Sequence, residues 1–90
     1  MQNKIAIIVV AYNHSQTLAK VLDRIPQDVW ERVTEVVVLD DASKDDTYLV
    51  GKGYQSERAV PKLTMIRNEV NLGYGGNQKK GYLYCIDKGY

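Results

Sequence analysis

The segment Val36-Val37-Val38-Leu39-Asp40-Asp41-Ala42-Ser43-Lys44-Asp45-Asp46-Thr47 decides the fold prediction for this chain of 90 residues. Its apolar, mostly β-branched start leads directly into the paired carboxylates of Asp40 and Asp41 and then into a short polar turn. An unbroken apolar run of this kind is typical of a strand covered on both faces of a parallel sheet. Because ligands of open α/β sheets bind outside the carboxyl ends of the strands, the two aspartates are predicted to line a ligand site.

Two further apolar segments complete the predicted sheet. Lys4 to Tyr12 is continuous and mostly β-branched, which predicts the most buried strand of the domain. The second strand runs from Glu35 to Asp40, and Leu63 to Asn68 forms the third, introduced by Pro61. All three strands are therefore predicted to belong to one core.

Helical patterns separate these strands. Apolar residues recur at helical spacing from Leu18 to Ile25, which predicts a helix of about three turns that ends at Pro26, before a polar connection. A second helix is predicted to begin near Thr47. Gly51 and Gly53 each weaken it by roughly 1 kcal/mol relative to alanine, so we expect it to be short, irregular or bent.

The element order is completed by a glycine-rich turn, Asn71 to Gly76, and a last helix. This β-α-β-α-β-α order predicts one α/β domain over residues 1–90, a Rossmann-like three-layer sandwich with a three-stranded parallel sheet in order 3-2-1. The first strand then lies at an edge. Because no charge or proline protects Ile5 to Ala11, we expect self-association through this strand, or pairing with a strand of a longer chain.

The composition excludes several classes of function. The formal net charge is +1 and the basic residues are dispersed, so we expect no nucleic-acid partner. The apolar run Ile5 to Tyr12 is far shorter than the roughly 20 residues of a membrane span, and a cytoplasmic location is expected. Cys85, the single cysteine, is interpreted as a buried structural thiol, and His14 as a loop or helix-start residue.

The ends of the first two strands are predicted to form a slot at the carboxyl edge of the sheet. Ala11, Tyr12 and Asn13 follow one strand, and Asp40 to Ser43 follow the other. A carboxylate there suits the ring N–H of uracil or guanine, while the backbone amides suit a base carbonyl or a ribose hydroxyl. The alternative is that both aspartates are only turn and capping residues.

The glycines of the last turn are candidates for a phosphate site. Gly73, Gly75 and Gly76, followed by Lys79 and Lys80, offer backbone N–H groups and positive charge. Neither the dinucleotide fingerprint nor the P-loop pattern is present. Close backbone packing of the turn is an equally good interpretation of these glycines.

Three motifs, in this order, resemble the family 2 glycosyltransferases, which have the GT-A fold. They are residues 9–13 (VVAYN), 38–47 (VLDDASKDDT) and 71–77 (NLGYGGN), and the resemblance covers nearly the whole chain. Residues 71–81 look most like the bacterial branch that resembles polyprenyl-phosphate sugar synthases. Two residues depart from the family pattern: Val10 stands where proline is common, and His14 where glutamate often contacts the ribose side.

The resemblance implies a hexosyltransferase of cell-wall or polysaccharide biosynthesis. Its donor is a UDP- or GDP-sugar, and its acceptor is unknown, with polyprenyl phosphate as the candidate. The implied nucleotide-binding residues are Val10, Ala11, Tyr12, Asn13, Asp40, Asp41 and Ser43. The candidates for the diphosphate side are Gly73, Gly75, Gly76 and Lys79.

Catalysis in this family depends on parts that the resemblance places beyond Tyr90. A divalent cation, Mg²⁺ or Mn²⁺, is expected for the full-length enzyme, with its ligands and the catalytic base outside this chain. We therefore expect an N-terminal portion of a longer glycosyltransferase that is inactive alone, with the cytosolic face of the membrane as the candidate location of the full-length form. The alternative functions are a noncatalytic module that recruits a partner through its open strand edge, and a receiver-like domain, for which Arg67-Asn68 stand where an aspartate is needed.

Overall fold

A parallel sheet forms the centre of the domain in the computed structural model, which describes residues 4–90. Its strands are β1 (Ala6–Ala11), β2 (Glu35–Asp40) and β3 (Leu63–Arg67). They pair in the order β1-β2-β3, and both pairings are parallel, which confirms the predicted topology. The register aligns Ala11 with Asp40 and Asp40 with Arg67, so the three strands end at one edge.

Four helices surround the sheet: α1 (Leu18–Asp23), α2 (Gln27–Arg32), α3 (Thr47–Arg58) and α4 (Gly73–Asp87). The first helix is shorter than predicted, and the segment predicted as a polar connection contains α2. Pro26 explains both differences, because it disfavours helical backbone at Ile25, the residue before it, and because its own fixed φ suits the start of a helix. Its carbonyl oxygen accepts hydrogen bonds from the N–H groups of Val29 and Trp30.

The prediction of a short or bent second helix was wrong, because α3 is continuous over 12 residues. Gly51 explains the difference. A Cβ added there would lie 2.3 Å from both Sδ and Cε of Met65 on β3, so glycine allows the helix and the sheet to approach closely. Packing in the tertiary structure therefore overrides the low helix propensity of glycine.

The core lies mainly against β2, and the prediction that the first strand is the most buried was wrong. The four residues from Val36 to Leu39 are fully buried, whereas β1 is only partly buried until Ala11. The cause is the position of β1 at the edge of the sheet, where it has one neighbouring strand. Cys85 is likewise only partly buried, and this burial raises the pKa of its thiol.

Helices cover both faces of the sheet, as predicted. α1 and α3 pack together on one face, and α4 packs against β1 and β2 on the other. A Cβ at Gly81 would lie 2.8 Å from Cγ2 of Ile8 and 3.1 Å from Cδ1 of Leu39, so α4 also lies close to the sheet. Within residues 4–90, no helix has the length and apolarity needed to cross a bilayer.

The carboxyl end of α4 is fixed to the start of β2 by Glu35. This carboxylate accepts hydrogen bonds from the hydroxyl groups of Thr64, Tyr84 (2.8 Å) and Tyr90 (2.6 Å). Burial alone would raise the pKa of Glu35, but the hydrogen bonds from these hydroxyls lower it. The position of α4 on the sheet is thus set at both ends, by Glu35 at its carboxyl end and by the side-chain hydrogen bonds of Asn77 and Lys80 near its start.

Candidate functional site

A cavity of about 330 Å³ opens at the carboxyl ends of β1 and β2. It is lined by Val10, Ala11, Tyr12, His14, Asp41, Asn71, Gly73, Tyr74 and Asn77. Five of the predicted site residues therefore lie together around one space: Val10, Ala11, Tyr12, Asp41 and Gly73. The other predicted residues after the first two strands, Asn13, Asp40 and Ser43, are not among its lining residues.

Asp41 is the acidic residue that lines this cavity, and its side chain is only partly satisfied by the protein. It is 3% exposed, and its Oδ1 accepts hydrogen bonds from Asn68 Nδ2 at 3.0 Å and from the Leu72 N–H at 2.7 Å. Within residues 4–90, no group donates to its Oδ2. In contrast to Oδ2 of Asp40, this atom is not sealed from solvent. One carboxylate oxygen thus remains available to a ligand.

Asp40 faces the protein instead. It is fully buried, and its Oδ1 accepts hydrogen bonds from both the N–H and the hydroxyl group of Ser43. Its Oδ2 has no hydrogen-bond partner within the described chain, and Nε of Arg67 lies 3.8 Å away. Arg67 also donates to the Ser43 carbonyl oxygen at 3.3 Å. Asp40 therefore fixes the loop after β2 rather than facing the cavity.

The loops after β1 and β2 are joined by four hydrogen bonds between side chains and backbone. Asn13 N–H donates to Ser43 Oγ at 2.8 Å, and Lys44 N–H donates to Asn13 Oδ1 at 2.9 Å. The third bond runs from His14 N–H to Thr47 Oγ1, also at 2.9 Å, and the fourth from Ser15 N–H to Asp45 Oδ2 at 3.2 Å. Asn13 and Ser43 therefore act on the site by holding the two loops together.

Left-handed backbone at two positions shapes the same loops. Asn13 has a φ of 54° and Ala42 a φ of 58°. Asparagine tolerates this conformation, whereas for alanine it is unfavourable by roughly 1–2 kcal/mol. The surrounding hydrogen bonds hold both residues in place, so the path of these loops is specified by more than local preference.

His14 takes the helix-start role that was predicted for it, and Asp45 has a comparable role before α3. The carbonyl oxygen of His14 accepts hydrogen bonds from the N–H groups of Thr17 and Leu18, where the turn leading into α1 begins. Asp45 accepts hydrogen bonds from the N–H and hydroxyl groups of Thr47 at the start of α3. The hydrogen bond from the Thr47 hydroxyl lowers the pKa of Asp45 to about 2.

The predicted glycine-rich turn is already helical, because α4 begins at Gly73. Gly73 has a φ of 77°, which favours glycine, and it lines the cavity. No atom lies within 4 Å of a Cβ added at Gly73 or Gly75, whereas one at Gly76 would meet Cβ of Leu72 at 3.1 Å. Close packing therefore accounts for Gly76 but not for Gly73 or Gly75. Lys79 is exposed on the same helix.

Asn68 and Asn77, two buried asparagines beside Asp41, were not among the site residues predicted from the sequence. Asn68 Nδ2 donates to Asn77 Oδ1 at 3.0 Å as well as to Asp41, and Asn77 Nδ2 donates to the Leu39 carbonyl oxygen at 2.8 Å. Lys80, which was considered with the phosphate candidates, directs its Nζ to Asn68 Oδ1 at 2.5 Å. The available signal was a polar residue, Asn68, at the end of a predicted apolar strand, but the partners of its side chain depend on how α4 is placed.

A second cavity, of about 410 Å³, lies beside α2 and the end of α3. Its lining includes Trp30, Tyr54, Arg58 and Lys62, and none of the predicted site residues. The cations there already have partners, since Arg58 pairs with Asp23 and Lys62 donates to the carbonyl oxygens of Trp30 and Glu31. Although this cavity is larger, the one beside Asp41 is the better candidate because it offers an unsatisfied carboxylate oxygen.

A partly satisfied carboxylate at the end of a central parallel strand, facing a cavity between strand ends, is typical of α/β domains that bind ligands such as nucleotides. A comparison with known protein families identifies the family to which this domain belongs. Residues 6–88 match the family described as glycosyl transferase family 2, and the chain belongs to that family.

The chain is also similar to two curated proteins named dolichyl-phosphate beta-glucosyltransferase. The one from Drosophila melanogaster is 30% identical over 87 residues, which cover 89% of this chain and 27% of that protein. The one from Dictyostelium discoideum is 28% identical over 94 residues, covering 91% and 29% respectively. The chain thus spans less than a third of the length of these relatives. The predicted resemblance to family 2 and its polyprenyl-phosphate branch is confirmed, and no solved structure matches the chain.

Family 2 enzymes generally use a divalent cation. Within residues 4–90, no group of three or more His, Cys, Asp and Glu side chains is arranged to hold a metal ion. The described residues therefore do not fit a metal site, and they can contribute the binding and orientation of a ligand.

Proposed function

We propose that this chain forms the nucleoside-binding part of the donor site of an enzyme that transfers a sugar from a nucleoside diphosphate to polyprenyl phosphate. Membership of family 2 supports the reaction class, and the names of the relatives support the acceptor. The observation that carries the proposal is Asp41, because its Oδ2 is left without a protein donor beside the 330 Å³ cavity. A buried carboxylate that keeps an acceptor free is suited to a donor on a ligand.

The number of free oxygens favours uracil over guanine as the base. Uracil presents one ring N–H beside two carbonyl groups, whereas guanine presents a ring N–H and an adjacent amino group. Both lone-pair directions of Asp41 Oδ1 are used by Asn68 and Leu72, so only Oδ2 remains. A base with a single N–H therefore matches this carboxylate, and UDP is the preferred donor nucleotide in our proposal.

The other lining residues give the cavity the character that a nucleoside requires. Val10 and Ala11 supply apolar wall at the end of β1, and Tyr12 and Tyr74 present aromatic surface that is 40% and 71% exposed. Planar bases pack well on such surfaces. Asn13, Asp40 and Ser43 act indirectly in this proposal, by fixing the loops that place these residues.

The start of α4 is our proposed location for the diphosphate. Gly73, Gly75 and Gly76 lie in the first turn, where the helix dipole favours negative charge. The Gly73 N–H already donates to Asn71 Oδ1 at 2.8 Å, so Gly75 is the glycine whose N–H is offered to the diphosphate. The open space around Gly73 and Gly75 leaves room for a ligand to approach their backbone, and Lys79 would add a cation on the exposed side. For the complete enzyme we propose Mg²⁺ or Mn²⁺ at ligands other than the residues described here.

The test is calorimetric titration of the 90-residue chain with UDP and with GDP, beside the variant Asp41→Asn. This change keeps the size of the side chain but removes the negative charge. We expect UDP to bind more tightly than GDP, and the variant to lose about 10-fold or more of its UDP affinity.

Asp28→Asn is the matched control, because Asp28 is exposed on α2 and takes no part in the cavity. It should bind UDP as the unchanged chain does. Equal UDP affinity in Asp41→Asn and in the control, with both variants folded by circular dichroism, would refute the assignment of the base to Asp41.

A further inference from the structure

We infer that Asn68, held by Lys80, is a positioning residue that presents Asp41 to the base, an inference that rests on the proposed function. Asn68 is 3% exposed and follows β3 directly. Neither Asn68 nor Lys80 lines the cavity, so an effect on a nucleotide passes through the lining residues that Asn68 contacts, Asp41 and Asn77.

The amide of Asn68 fits its surroundings in one orientation only. Its Nδ2 donates to two acceptor oxygens, Asp41 Oδ1 and Asn77 Oδ1, both at 3.0 Å. Its Oδ1 accepts from Lys80 Nζ at 2.5 Å. A rotation of the amide by 180° would set its oxygen against two acceptors and its NH₂ against an ammonium group. Lys80 therefore determines which end of Asn68 faces Asp41.

This arrangement fixes the carboxylate of Asp41 in turn. Its Oδ1 is held on two sides, by Asn68 Nδ2 and by the backbone N–H of Leu72, which precedes α4. The carboxylate cannot rotate about its terminal bond without breaking both hydrogen bonds. The Lys80 ammonium also polarises the Asn68 amide and strengthens its N–H donors. The position of the free Oδ2 beside the cavity is thus fixed before a ligand arrives.

The test compares UDP with its N3-methyl analogue, which has lost the ring N–H but keeps the ribose and the diphosphate. The ratio of the two dissociation constants reports how well Asp41 reads that N–H. It does not report a contact with the diphosphate, because both ligands share that group. In the unchanged chain we expect a ratio of about 10 or more.

The variants are Lys80→Met, Lys80→Arg and Asn68→Asp, with Lys20→Met as a charge-matched control on the exposed side of α1. Lys80→Met and Asn68→Asp should reduce the ratio to about 3 or less. Lys80→Arg, which still carries donors for Asn68 Oδ1, should restore it, and Lys20→Met should not change it. Lys80 is only partly buried, so its variants test the inference even if Asn68→Asp does not fold.

The outcomes separate this inference from the proposed function. A ratio near 1 in the unchanged chain would overturn the reading of the base by Asp41, and with it this inference. A high ratio that persists in folded Lys80→Met would leave the proposed function in place and refute the role of Lys80 and Asn68. A loss of affinity for both nucleotides at an unchanged ratio would also refute it, since a merely structural role would produce that result.

Discussion

Substitution of Gly81 by alanine should destabilise the fold, although alanine is the better helix former. The added Cβ would lie 2.8 Å from Cγ2 of Ile8 and 3.1 Å from Cδ1 of Leu39. Cγ2 is attached directly to the branched Cβ of Ile8, so it moves only if the side chain changes rotamer or the strand shifts. The buried Leu39 has little space to move away on the other side.

The magnitude follows from two opposing effects. Alanine in place of a helical glycine gains about 1 kcal/mol, and overpacking of a core costs about 1–3 kcal/mol. The net loss for Gly81→Ala is therefore about 0–2 kcal/mol. Gly53→Ala is the matched control, because Gly53 lies within α3 and nothing lies within 4 Å of an added Cβ there. It should gain about 0.5–1 kcal/mol.

The assay is thermal and urea unfolding followed by circular dichroism. The propensity gain is common to both variants, so the difference between them isolates the overpacking cost of about 1–3 kcal/mol. For a domain of this size, each kcal/mol corresponds to a shift in Tm of about 4–8 °C. Equal stability of Gly81→Ala and Gly53→Ala would refute the close approach of α4 to the sheet, and with it the placement of Asn77 and Lys80.

Two further predictions concern pH and association. The pKa of Asp45 is lowered to about 2, so its contribution to stability is present above about pH 4 and is lost as the pH falls through the folded-state value. Asp45→Asn should therefore lose less Tm than the unchanged chain between pH 4 and pH 2, and an identical decrease would contradict this. The open edge of β1 should support self-association, or a partner strand if the chain is an interaction module. The carbonyl groups of Ile5 and Ala11 face β2, and backbone groups of successive strand residues face opposite sides, so the N–H of Ala6 faces outward. Ala6→Pro removes this outward N–H and should reduce association in sedimentation without unfolding the domain. A clean monomer of the unchanged chain at high concentration would count against this prediction.

The strands and their order were predictable because the signal is local. Each strand is a compact β-branched run, and the βαβ crossover rule leaves few arrangements of three such runs. The extent of α3 was not predictable in the same way. The penalty of Gly51 can be assigned from the sequence, but the compensating contact with Met65 depends on a residue that is 14 positions away and on another element.

For the candidate site too, the features that depend on local sequence were predictable and those that depend on tertiary contacts were not. The place of Asp41 at a strand end follows from its own neighbours in the sequence. The division of roles between Asp40 and Asp41 does not, because alternate residues of a strand face opposite sides and the partners on each side belong to other elements. The contacts of Asn68 likewise require the rotation of α4 about its axis, which a weakly amphipathic helix rich in glycine does not specify.

The hydrogen bonds between the loops after β1 and β2 lower the conformational entropy that is lost when a ligand binds. Ordering the backbone of one residue costs about 1–2 kcal/mol in conformational entropy, and flexible binding loops pay that cost when the ligand arrives. Here the bonds from Asn13 to Ser43 and from His14 to Thr47 have already ordered both loops during folding. A ligand therefore meets a preorganised surface, and even the small contact area of a nucleoside can produce measurable affinity.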